Sequence, residues 1–91
     1  MLDVTISGFS ISGHYHKIDA LMRPLRLIFG ERVRELRLAA GWKQDEFAER
    51  CGFARSYMSR IETGGANPSL DAVHVVAVAL GVPVRDLFAG V

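Results

Sequence analysis

From about residue 25 onward, apolar residues return every three or four positions, the spacing of one buried helical face. Phe29, Val33, Leu36 and Ala40 make the first such stripe and predict a helix over about Leu27 to Ala40, after Pro24 and closed by Gly41. Phe47, Ala48 and Cys51 predict a short second helix from Gln44 to Cys51, stopped at Gly52. Ala54, Tyr57, Met58 and Ile61 fall on one side of a third, from Arg55 to Glu62, with Gly64 just beyond its end. Leu70, Val73, Val76, Ala77 and Leu80 form the inward face of a fourth, from Ser69 or Leu70 to Leu80, with Pro68 before it and Gly81 after. A fifth short helix, about Val84 to Ala89, adds Leu87 and Phe88 to the core. Trp42 is expected to cover the core, and His74 to pack beside the inward face of the fourth helix.

The first 22 residues have a different rhythm. Val4, Ile6, Phe9 and Ile11 alternate imperfectly with Thr5, Ser7, Gly8 and Ser10. This pattern suits a short strand or extended arm that would need a partner for its edges, or else a flexible tail. The division expected is an extension over 1–22 and a helical domain over 23–91. His14 and His16 lack a third ligand nearby, so no metal site is expected.

Composition narrows the class. Hydrophobic residues are 49% of 91, enough for one compact core. No apolar run approaches the ~18 residues of a membrane span. A single cysteine, Cys51, cannot form an internal disulfide, which fits a reducing cytoplasm; it is expected to fill core space. The net charge of +1 argues weakly against nucleic acid, but its distribution argues the other way. Residues 23–60 hold nine Lys or Arg against five Asp or Glu, whereas the flanks are net acidic. Phosphate binding requires this kind of local concentration.

The third helix carries the candidate chemistry. Arg55, Ser56, Ser59, Arg60 and Thr63 collect opposite its apolar side, with no carboxylate among them; Glu62 lies on the border. Two short helices joined by a tight turn, the second with a polar cationic face, make a helix-turn-helix suited to the DNA major groove.

With Gln44, Phe47, Ala48, Gly52, SYMSRIETG, NPSL and ALGV in place, residues 27–88 resemble the Cro/C1-type (XRE-like) helix-turn-helix family of regulators. The resemblance implies an all-α, five-helix, lambda-repressor-like domain. It implies a DNA contact from Gln44, and base-reading or phosphate contacts from Arg55, Ser56, Ser59 and Arg60. It also implies a structural clamp between Arg37 and Glu62. The chain departs from the family at three places. Lys43 stands where a capping Ser, Thr or Asn is usual; this loses a cap but puts a cation beside the phosphate path. Ala54 replaces a frequent polar residue and is expected to pack. Val75 and Val78 replace residues that are commonly polar, suggesting a dimer patch on the fourth helix; single exposed valines can also mean nothing.

No catalytic spacing, phosphate-binding glycine loop or metal cluster is present, so no enzyme activity and no cofactor are expected. The function expected is sequence-specific regulation of transcription, with double-stranded DNA and a second copy of the chain as partners. The alternatives are an antitoxin or restriction–modification controller, which would differ in partners and operon, and a protein-interaction adaptor that does not read DNA.

Overall fold

The computed structural model describes residues 23–89 and 91. The extension over 1–22, with its strand or arm, His14 and His16, lies outside the described residues. Four α-helices follow one another: α1 Leu25–Ala39, α2 Gln44–Cys51, α3 Arg55–Glu62 and α4 Leu70–Leu80. The last element, η1 Val84–Phe88, is a 3-10 turn rather than the fifth α-helix expected. Five residues after a proline can close little more than one turn, and the tighter winding suits so short a piece. No strand occurs among the described residues, and the all-α class stands.

α1 packs across α3 and η1, α2 packs on α3 and α4, and α4 closes against η1. Phe29, Val33, Phe47, Met58, Ile61, Val76 and Leu87 fill the centre, each at most 2% exposed. Phe29 stacks on Phe88 with ring centroids 5.4 Å apart, joining α1 to the last turn.

The joint between α2 and α3 is a turn that the sequence dictates. Gly52 adopts φ 75°, a left-handed conformation cheap only without a β-carbon. Its N–H reaches the Glu49 carbonyl at 2.9 Å and the Phe53 N–H reaches the Ala48 carbonyl at 2.8 Å, so the last turn of α2 keeps its acceptors satisfied. Ser69 starts α4: its hydroxyl accepts from the Ala72 N–H at 3.1 Å.

A close approach fixes how α1 meets α3. Gly30 is buried, and a β-carbon there would lie 2.1 Å from the Ile61 carbonyl oxygen. Only glycine lets the two backbones come this near.

Several expectations need correction. Leu70, the first residue of α4, is 87% exposed rather than inward, although Ala72 and Val73 in the same turn are buried. It borders an open cleft of about 280 Å³ with Pro24, Leu25, Phe29, Val73 and Phe88. Ala40 follows α1 as its cap and is exposed. Ala54 is also exposed, as the N-cap of α3, and makes no side-chain cap. His74 faces solvent on α4 instead of packing. On α1, Arg32 Nε donates to the Asp86 carbonyl at 2.7 Å, tying that helix to η1.

Candidate nucleic-acid interface

α2 begins at Gln44 with Lys43 as its N-cap. A lysine ammonium has no lone pair to accept from the helix N–H groups. The cap therefore works from the other side: the Glu46 carboxylate accepts from the Lys43 backbone N–H at 3.1 Å. This is one half of a capping box, and glutamate at the third helical position was its available sequence signal. The Lys43 side chain is left exposed at the start of the helix.

α3 presents Arg55, Ser56 and Arg60 exposed, with Ser59 half-buried between them. Thr63 turns inward on its own helix, its hydroxyl donating to the Ser59 carbonyl at 3.0 Å. Tyr57 is half-buried and packs edge-on against Phe53, centroids 5.1 Å apart.

Charge pairing separates the cations into two groups. Among the described residues, Arg23, Arg32 and Arg37 pair with Glu31, Glu35 and Glu62. Arg26 and Arg50 donate to the carbonyls of Gly64 and Ala79. Lys43, Arg55 and Arg60, on the α2–α3 unit, have no such partner among the described residues; neither do Arg34 on α1 and Arg85 on η1, which are also exposed. Unneutralised cations gathered beside an exposed polar helix are what phosphate and base-edge contacts use.

Beneath this face lies a buried polar knot. Arg37 and Glu62 are 6% and 5% exposed. The Arg37 guanidinium donates through Nε to Glu62 Oε2 at 2.6 Å and through Nη2 to Oε1 at 2.9 Å, a bidentate pair. Its remaining Nη1 donates to the Trp42 carbonyl at 2.8 Å, while the Trp42 N–H returns to the Arg37 carbonyl at 3.1 Å. Gln44 Nε2 donates to Glu62 Oε1 at 3.1 Å. One ion pair thus joins the end of α1, the approach to α2 and the end of α3. The family resemblance implies the pair; the contacts to Trp42 and Gln44 have no signal in the sequence.

Arg50 adds a second brace. It lies over the Trp42 ring, 5.1 Å from the centroid, and its Nε reaches the Ala79 carbonyl at 2.9 Å. Cys51, half-buried beside this brace, has its thiol pushed up to about 11 by burial, with Arg50 partly opposing the shift. At neutral pH it stays a protonated, weakly nucleophilic thiol. On the far side of α4, Val78 is 63% exposed and Val75 is half-buried. The described residues contain no cluster of His, Cys, Asp and Glu able to hold a metal ion, and no helix long and apolar enough to cross a membrane.

A short-turn pair of helices, braced from behind and cationic in front, defines the class of helix-turn-helix DNA-binding regulators. The chain belongs to the helix-turn-helix domain family, whose model matches residues 28–89. It is 42% identical over 64 residues to the control protein C.BamHI of Bacillus amyloliquefaciens, covering 69% of this chain and 79% of that protein. The crystal structure of the restriction–modification controller protein C.AhdI from Aeromonas hydrophila superposes with a TM-score of 0.67 at 41% identity, over 69% of this chain and 96% of that one. The biofilm regulator SinR, solved in complex with DNA, superposes with a TM-score of 0.62 at 37% identity, over 65% of this chain and 95% of that one.

Proposed function

We propose that this chain is a sequence-specific transcriptional regulator. It acts as a homodimer on a pseudo-palindromic operator, with α3 in the major groove. The observation that carries the reading is the outer face of α3: Arg55, Ser56 and Arg60 stay exposed beside Lys43 on the α2–α3 unit, while the arginine buried beneath it is neutralised by Glu62. SinR, a relative by fold and sequence, was solved on DNA.

Arg55 opens α3 and is exposed, so its guanidinium can pair with guanine O6 and N7. Arg55→Ala is expected to cost about 1–3 kcal/mol at the preferred site and to relax its base preference. Lys43→Ala should weaken all sites alike and flatten the salt dependence by about one phosphate contact. Selection of an operator from random duplexes, followed by fluorescence anisotropy at several salt concentrations, measures both. Equal binding of wild type and Arg55→Ala would remove α3 as the reader.

The dimer interface is assigned to the face of Val75 and Val78. An exposed valine next to a half-buried one on a helix that has already closed its core suits a self-complementary patch about a two-fold axis. Such an axis would set the two copies of α3 about 34–36 Å apart, one turn of duplex. A Val75→Lys, Val78→Lys double variant is expected to be folded by circular dichroism, monomeric by sedimentation and much weaker on a full operator. A double variant that remains dimeric would move the interface elsewhere.

A restriction–modification controller role is the more specific second reading. It is favoured by the match to C.BamHI and by the nearly full-length superposition on C.AhdI. Binding to the DNA upstream of its own gene, with adjacent nuclease and methyltransferase genes, would distinguish it from a general regulator.

A further inference from the structure

We propose that Glu62 is a positioning residue for Gln44. It fixes the amide of Gln44 so that one N–H is held inward and the other is presented to a DNA phosphate. The proposal rests on the reading of the α2–α3 face as the DNA surface, and it adds a role for a buried residue that never reaches that surface.

The geometry begins with a shared acceptor. Glu62 Oε1 takes one bond from Arg37 Nη2 at 2.9 Å and another from Gln44 Nε2 at 3.1 Å. A carboxylate can only accept, so the nitrogen end of the Gln44 amide must face it. The carbonyl end of Gln44 is therefore directed away from Glu62. This leaves the second N–H and Oε1 to the outer side of a half-buried side chain. A phosphate oxygen also only accepts, so the second N–H is the group that can meet it.

The carboxylate itself cannot swing. Both of its oxygens are held by Arg37, whose third donor is spent on the Trp42 carbonyl, two residues before Gln44. The side chains of Arg37 and Glu62 are 7% and 2% exposed, so water does not compete for these bonds. Arg37 thus sets the backbone approach to α2, and Glu62 sets the first side chain of that helix. Preorganisation of this kind lowers the ordering cost of a contact without adding a new one.

The test is a double-mutant cycle with the full chain and its selected operator, each variant first checked by circular dichroism. Gln44→Ala is expected to weaken binding roughly ten- to a hundredfold, the size of one hydrogen bond to a charged group. Glu62→Gln should weaken it by a similar factor in the wild-type background. In the Gln44→Ala background the same Glu62→Gln change should matter less than about twofold, because the group it positions is gone. Full loss in both backgrounds would overturn the proposal and leave Glu62 purely structural. No loss from Gln44→Ala, with Arg55→Ala still impaired, would also overturn it, while the DNA-binding reading survives. Unchanged binding in both Gln44→Ala and Arg55→Ala would remove that reading itself.

Should Glu62→Gln fail to fold, the wild-type protein still decides. Its Gln44 side-chain amide is expected to give two well-separated proton signals, one shifted downfield and protected from solvent exchange. An amide with random-coil shifts and full exchange would overturn the proposal.

Discussion

Glu62→Ala is expected to lose about 3–5 kcal/mol of folding stability, the cost of stranding a buried charge without its partner. The buried guanidinium of Arg37 would lose both carboxylate oxygens at once and keep only the Trp42 carbonyl. For a domain of this size, total stability is of order 5–15 kcal/mol, so a large part of it is at stake. The measurement is urea unfolding followed by circular dichroism. The midpoint should fall with the slope unchanged, since the native surface is otherwise preserved. A loss below about 1 kcal/mol would place the pair with exposed bridges and contradict its burial. Replacing both residues together by apolar ones of similar size should cost less than either single change, because no charge is then left alone.

Gly30→Ala is the second large effect, with an expected cost of about 3 kcal/mol, the upper end of the range for overpacking. Two terms oppose each other. Alanine favours a helix interior over glycine by about 1 kcal/mol. Against this, the new β-carbon would meet the Ile61 oxygen at 2.1 Å, with the Glu62 oxygen and the Ile61 carbonyl carbon each at 3.1 Å. These are backbone atoms at the end of α3 and cannot rotate aside as a side chain tip would. The Ile61 carbonyl is moreover engaged by the Gly64 N–H at 3.1 Å. α1 and α3 must therefore separate, which stretches the Arg37–Glu62 bonds formed further along the same pair of helices. Thermal unfolding measures the effect, and a melting point at or above wild type would show that the helices slide apart at no cost.

Much of the fold was legible because short helices with strong punctuation leave few choices. The bounds of α2 and α3 follow directly from Gly52, Gly64 and the apolar spacing, and the α4 bounds from Ser69 and Gly81. Errors concentrated at element ends. Leu70 and Ala40 satisfy the helical period, yet a period says nothing about where the neighbouring helices stop. The angle of Ala54 around the helix points to packing, but a cap residue is not yet in the helix. Arg32 and Arg50 bond to carbonyls contributed by distant elements, and such acceptors have no side-chain identity to read. Gly30 does carry a signal, since an isolated glycine within a helical pattern is a recognised sign of close packing, but the pattern does not say which backbone approaches it. At the site, the residue types on α3 were legible from their angle and charge. The sharing of Glu62 between Arg37 and Gln44 was not, because it depends on the crossing of three helices.

Trp42 is the sole tryptophan of the chain, and it lies at the joint where α1 hands over to α2. Its ring is half-buried, 6.5 Å from Phe47 and capped by the Arg50 guanidinium. The protein therefore carries its own fluorophore at the seat of the reading head. Red-shifted emission would report release of that seat, and a change on adding duplex would report its tightening, both without any attached dye.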